Sequence, residues 1–305
     1  MDLALAILPI LLTLLTGYAL VRFGMIPREH WPAIETLSFR LLIPVILLRI
    51  ISNVDFSAAS MGPFALLLIS VVSLAGAGVL GLRLLPQTLL PNPAFTTLFQ
   101  TTTRWNGFVG LAAAELFLGA EGVGLIALAM AVLVAPLNVV NVAILAGFGP
   151  GKASVKKIAL GIVKNPLVQG GALGLALNLG GIAIPKPIDD TLELIGRAGL
   201  GVGILAIGAG ISFRRLLVPQ LRIIIGVLLR PGLTVGLLLL LAPLFNLTAE
   251  QTLAGIFVFG VSCATNGYVV ARQMGGDADL YADVMTWQTL LSMLVLPGMA
   301  IWLLP

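Results

Sequence analysis

Charge is scarce in this chain of 305 residues. Lys and Arg number 17 and Asp and Glu 13, so only 10% of the residues are charged, against the ~25% with which a soluble domain covers its surface. Hydrophobic residues make up 59% and the mean hydropathy is +1.09. A soluble globular protein and a disordered chain are both excluded, and the outer surface must face lipid. A single cysteine, Cys263, excludes a disulfide scaffold. The only histidine is His30, which leaves no Ser/His pair inside the apolar stretches. Cys/His clusters at metal-ligand spacing, aspartyl dyads in facing stretches and a phosphate-binding GxxxxGK loop are also missing. The chain reads as a non-enzyme without a resident cofactor or metal. A net charge of +4 on a membrane chain records topology rather than a nucleic-acid partner.

What the sequence has instead is apolar runs. Crossing ~30 Å of hydrocarbon takes roughly 20 apolar residues as a helix, and ten stretches qualify: 3–22, 34–53, 62–85, 94–118, 122–147, 157–179, 189–212, 218–245, 249–272 and 280–304. The fold class expected is an all-α membrane protein of ten helices with short connections. The first stretch has no basic residue ahead of it and no small-residue cleavage site after it, so it reads as a retained helix. Basic residues alternate between connections. Arg22, Arg28, Arg83, Lys152, Lys156, Lys157, Lys164, Arg214, Arg215, Arg222 and Arg272 fall on one side and Lys186 on the other. Because Lys- and Arg-rich short loops stay in the cytoplasm, both termini are expected on the non-cytoplasmic face of the cell (inner or plasma) membrane.

The halves resemble one another. Asn106-Gly107-Phe108-Val109 matches Asn266-Gly267-Tyr268-Val269 at a separation of 160, Ile51-Ser52 matches Ile211-Ser212 at 160, and Ile26-Pro27 matches Ile184-Pro185 at 158. Five helices per half, residues 1–150 and 151–305, force the second copy to enter from the opposite face, which makes an inverted repeat.

Both Asn-Gly pairs fall near the middle of their stretches, in polar surroundings: Gln100-Thr101-Thr102-Thr103-Arg104-Trp105 before one, Ser262-Cys263-Ala264-Thr265 before the other. Asn and Gly are poor helix formers and suit turns, so helices 4 and 9 are expected to break at Asn106, Gly107, Asn266 and Gly267. Unwound backbone at membrane depth survives only against protein or a water-filled cavity. Paired breaks point to a binding site at the midplane, and half-helix N-termini there favour an anion. Arg104 lies about 15 Å into its stretch at 1.5 Å per residue, too deep to escape easily. Two roles are open to it: facing an anionic substrate, or pairing with a carboxylate or with C-terminal carbonyls. Asn106 and Asn266 can likewise bind substrate, cap half-helices, or do both. The substrate-binding set is Arg104, Asn106, Thr103, Thr265 and Asn266, joined by Asn138 and Asn141, one turn apart on one face of stretch 5. Arg40, Arg49, Arg197 and Arg230 read as structural.

With these residues in place, the chain resembles the auxin efflux carrier family over essentially its whole length. The resemblance is carried by Asn106-Gly107-Phe108-Val109-Gly110-Leu111 with Gly119-Ala120-Glu121-Gly122, by Asn165-Pro166 with Gly174-Leu175-Ala176-Leu177-Asn178 and Ile184-Pro185, and by Gly275-Gly276-Asp277-Ala278. It implies a five-plus-five inverted repeat with crossing helices 4 and 9. Helices 1, 2, 6 and 7 would form a scaffold that forms homodimers, and helices 3–5 and 8–10 a transport domain that carries an anion by an elevator movement. The chain departs from the family's pattern at Ala112, where many members have proline. The function expected is secondary transport of a small organic anion, a carboxylate. A cation/proton antiporter or channel on a related crossed-helix fold, and a non-transporting receptor, are the alternatives. Coupling is open among sodium held at the breaks, a proton on Glu115 or Asp283, and the membrane potential alone, worth ~2.3 kcal/mol per charge per 100 mV.

Overall fold

The computed structural model describes residues 3–53, 61–148, 160, 163–164, 166–210, 220–264 and 266–304. The repeat match Ile211-Ser212, the site residue Thr265, Asn165 of the family motif, and the side chain of Asn266 lie outside the described set. Every described element is helical. In chain order they are α1 (Leu3–Arg22), α2 (Trp31–Leu37), α3 (Ile43–Asn53), α4 (Met61–Gly81), α5 (Asn92–Thr103), α6 (Gly107–Phe148), α7 (Pro166–Leu179), α8 (Lys186–Gly210), α9 (Leu221–Val227), α10 (Thr234–Leu241), α11 (Ala249–Phe259), α12 (Asn266–Met274) and α13 (Ala278–Leu303). Wide π-type turns, Ser38–Leu42 and Leu228–Leu233, join α2 to α3 and α9 to α10. Among the described residues, five helical runs are long and apolar enough to cross a bilayer: Gly62–Leu84, Asn92–Phe148, Lys186–Gly210, Leu221–Phe245 and Ala278–Leu303.

Polarity is distributed as a bilayer requires. Leu240 and Leu294 are 71% and 74% exposed, while Gln100, Thr101, Thr102, Arg230, Ser262 and Gln288 are fully buried. In water such exposure would cost stability. In lipid the apolar exterior costs nothing and the polar groups must turn inward. The chain is an integral membrane protein.

Local sequence explains the turns and ends. Gly119 takes a left-handed φ of 61°, which only glycine adopts without strain, and it bends α6 where the sequence separates stretches 4 and 5. Thr248 and Gln251 cap α11 reciprocally, Gln251 N–H to Thr248 Oγ1 at 3.2 Å and Thr248 N–H to Gln251 Oε1 at 3.1 Å. Asp277 caps α13 through Leu280 N–H at 2.9 Å.

Two sets of helices pack together. In one, α3 lies against α7 and α8, and α1 lies against α8. The approach is close because the contacts are glycines: a Cβ on Gly17 would sit 2.0 Å from the Leu205 carbonyl oxygen, and one on Gly174 2.6 Å from that of Leu48. Small residues serve this purpose in lipid, where packing rather than hydrophobic exclusion holds helices together. Arg49 ties the same set at one end, donating to Asp189 at 2.8 and 3.0 Å and to Glu193 at 2.9 Å, and Arg197 joins Glu193 at 2.6 Å. In the other set, α5 packs on α4 and α13, α10 on α4 and α11, and α11 on α6 and α13.

Gly174→Val should push α7 off α3 and cost about 1–3 kcal/mol, the usual range for overpacking. Gly147→Ala, whose added Cβ meets nothing within 4 Å, is the control. Thermal unfolding in detergent should show a clear drop for the first and none for the second.

Candidate functional site

Two helical runs of the second set are interrupted at depth. α5 ends at Thr103, residues 104–106 are not helical, and α6 begins at Gly107. α11 ends at Phe259, residues 260–264 are not helical, and α12 begins at Asn266. The first interruption includes Asn106 and ends at Gly107, and α12 starts at Asn266 itself. The pairs open the second half-helices rather than break the chain themselves. Asn106 shows how: its Oδ1 accepts from Phe108 N–H at 3.1 Å and Val109 N–H at 3.4 Å, the bonding of an N-cap. The two interruptions touch, because Asn106 N–H donates to the Ser262 carbonyl at 2.9 Å.

Interrupting two helices leaves carbonyls without intrahelical partners, and four side chains from elsewhere take them. Arg230, in the turn between α9 and α10, donates from Nη1 to the Thr102 carbonyl at 2.7 Å, from Nε to that of Val261 at 2.9 Å, and from Nη2 to that of Val258. Gln288 of α13 donates to the Gly226 carbonyl at 3.0 Å and the Thr101 carbonyl at 3.3 Å, and its Oε1 accepts from Cys263 N–H at 2.9 Å. Thr234 donates to the Phe259 carbonyl at 3.1 Å. The Tyr281 hydroxyl donates to the Ala264 carbonyl. Cys263, flanked by these bonds, is fully buried as a packing residue.

Beside the interruptions lies a cavity of about 550 Å³, walled on one side by Arg104, Trp105, Asn106 and Asn138, and on the other by residues of α2, α3 and α8 such as Glu35 and Leu47. Arg104 is 5% exposed. Its Nη1 donates to Asn138 Oδ1 at 2.8 Å, and among the described residues its Nε has no partner and no carboxylate lies within ion-pair distance. The Asn106 amide nitrogen is likewise buried without a partner among them. Two residues of the cavity wall, one of them cationic, thus each hold an unused donor.

The structure brings together some of the residues expected from sequence and separates others. Arg104, Asn106, Gly107 and Asn138 line the cavity. Thr103 and Asn141 do not: the Thr103 hydroxyl lies 2.8 Å from the Phe99 carbonyl and 3.1 Å from Asn141 Oδ1, and Asn141 Nδ2 donates to the Leu137 carbonyl at 2.8 Å. This pair stitches α5 to α6. Of the second interruption, Ala264 and Val270 reach the cavity, and Gly267 packs on the Tyr281 hydroxyl. Glu115 faces a separate void of about 130 Å³ with Arg49, Glu193 and Arg197. Asp283, on α13, is engaged by a neighbour and lines neither space. Trp105, Glu35 and Gln288 are not among the site residues expected from sequence, and Arg230 is expected there only as a structural residue. Arg230 and Gln288 carry a signal, a charge or an amide deep in an apolar stretch, which is the reasoning applied to Arg104. Glu35 gives no such signal near the end of its stretch.

Residues 151–300 match the family model described as Membrane transport protein. No curated protein matches the chain.

Replacing Gln288 by Leu keeps the volume but strips two carbonyls and one N–H of their partner, each worth about 1–3 kcal/mol when buried. The variant should unfold at a markedly lower temperature in detergent than Thr286→Val, whose hydroxyl bonds only the Ala282 carbonyl of its own helix.

Proposed function

With residues 151–300 placing this chain in the membrane transport protein family, the family of the auxin efflux carriers, we propose that it is a secondary transporter for a small organic anion, a carboxylate, bound beside the two helix interruptions. One observation carries the reading. Arg104 is buried in a cavity wall with a donor free and no acidic partner among the described residues. A buried unpaired cation is costly in a membrane, and an anionic ligand is the group that relieves it. Asn106 Nδ2 supplies a neutral donor beside it. The half-helix N-terminus contributes less than expected from sequence, since the Asn106 side-chain oxygen already accepts from two of its N–H groups. Trp105, Phe108 and Met130 give the cavity an apolar lining suited to the body of an organic acid. Thr265 and Asn266, candidates from sequence alone, are the further ligands this reading assigns to the substrate.

The rest of the proposal concerns movement. In this reading the chain is a five-plus-five inverted repeat whose helices 4 and 9 cross at their interruptions, which the bond from Asn106 to Ser262 supports. Helices 1, 2, 6 and 7 form the scaffold and the others the transport domain, a division supported by the two sets of packed helices. The cavity lies at their boundary, as an elevator movement requires. It extends to Pro32 and Thr36, next to the Arg28 connection assigned to the cytoplasm, so this conformation loads from the cytoplasm. Scaffold helices also provide the face for a homodimer.

Reconstituted protein should move a labelled carboxylate across liposomes. Arg104→Gln, which removes the charge but keeps donors, should weaken carboxylate binding roughly 10- to 100-fold, the worth of a charge-assisted hydrogen bond of about 1.5–3 kcal/mol. Unchanged affinity would remove Arg104 from the anion site, and proton flux without any carboxylate would favour the antiporter instead.

A further inference from the structure

Arg230 and Arg104 are both buried beside the interruptions, yet their surroundings are opposite. Arg104 lines the cavity and, among the described residues, leaves its Nε without a partner. Arg230 is 0% exposed, lines no part of that cavity, and directs Nε, Nη1 and Nη2 at three main-chain carbonyls. Those carbonyls belong to the C-terminal ends of two different half-helices, Thr102 from α5 and Val258 and Val261 from α11 and the residues after it. Helix C-termini carry partial negative charge, and here two of them converge. Among the described residues no carboxylate is within ion-pair distance of the guanidinium, so the dipoles of the two helix ends are what balance it. The Phe259 ring, 5.9 Å from the guanidinium carbon, covers one side.

Converging oxygens at the ends of interrupted helices are the coordination that a hard monovalent cation takes, since such cations bind oxygen and seek helix C-termini. We propose that Arg230 is a tethered cation: it fills a carbonyl-lined cation site between α5 and α11 and positions both interruptions, so that no dissolved cation is needed there. The Thr102, Val258 and Val261 oxygens are already engaged by guanidinium nitrogens. Sodium could enter only by displacing a side chain held by three hydrogen bonds. Removing the side chain should uncover the site. Arg230→Ala opens a space that fits a free guanidinium ion, and its unpaired carbonyls can take sodium. The transport corollary rests on the carrier reading above, but the site itself does not.

The test compares thermal unfolding of purified protein in sodium chloride, choline chloride and low guanidinium chloride at equal ionic strength. The unsubstituted protein should unfold at the same temperature in all three. Arg230→Ala should unfold lower in choline and recover by several degrees with guanidinium, and in part with sodium, whereas Arg230→Lys should keep most of the stability. Sodium-specific stabilisation of the unsubstituted protein would overturn the proposal, and so would an Arg230→Ala protein indifferent to every cation. If Arg230→Ala cannot be purified, the unsubstituted protein and Arg230→Lys still decide: sodium dependence in the first, or full sensitivity of the second to sodium replacement, overturns it. Carboxylate flux through the unsubstituted protein should be equal in sodium and choline. Flux in neither salt would count against the carboxylate reading alone, because the unfolding comparison uses no substrate.

Discussion

Everything in this molecule turns on one constraint: a main-chain polar group in the depth of a bilayer must find its partner inside the protein. A continuous helix meets the constraint by itself. This chain interrupts two helical runs side by side, and the interruptions release carbonyls from the ends of α5 and α11 together with N–H groups at the starts of α6 and α12. The polar side chains of the interior are arranged around that debt of hydrogen bonds. Arg230 and Gln288 each serve both interruptions, Thr234 and Tyr281 serve the second, and Asn106 serves the first while its own N–H reaches across to Ser262. Interrupted backbone is thereby held in one arrangement, and a rigid pair of half-helix ends is what a binding site at this depth needs.

The same constraint sorts the outer surface. Exposed leucines cover helices whose inner faces hold threonine, glutamine and arginine. The helix set of α1, α3, α7 and α8 solves its packing differently, with glycines at close crossings and an ion-pair cluster around Arg49 near one end. Among its described residues it contains no interruption of the kind seen in the other set. One set is built for close, smooth contact and the other for a polar interior, and the cavity opens where the two meet.

Much of this was legible in the sequence, and the part that was not has a physical reason. The all-helical class followed from the apolar runs, and five helical runs among the described residues are long and apolar enough to cross a bilayer. The bend at Gly119 coincided with the break between two such runs. Both interruptions are legible because Asn and Gly recur 160 residues apart in polar surroundings; the first unwinds over 104–106 with Asn106 as the cap of α6, and the second unwinds over 260–264, ahead of Asn266. Arg104 was found because its depth forbids escape to the interface. What could not be read was who bonds whom. Arg230 meets the Thr102 carbonyl over 128 residues of sequence and Gln288 meets that of Thr101 over 187. Main-chain carbonyls carry no residue identity, so such a bond leaves no pairing signal in a single sequence. Asn138 and Asn141 show the same limit at short range. One turn apart on one helix, they divide between Arg104 at the cavity and Thr103 inside the packing.

That division of roles explains why two arginines can lie beside the same interruptions. From sequence, Arg104 has two competing roles, binding a substrate or holding C-terminal carbonyls. In the structure Arg230 holds the carbonyls, and the proposed function gives the first role to Arg104. A guanidinium has five N–H donors in a rigid fork, and Arg230 directs all three of its nitrogens at carbonyls. Arg104 is thus released from holding the backbone: Asn138 takes one of its nitrogens, a neutral acceptor that orients the side chain without cancelling its charge. Had a carboxylate stood where Asn138 stands, the pair would have been stable and inert towards an anion. An amide at that position fixes the geometry of the cation and leaves its charge to the occupant of the cavity.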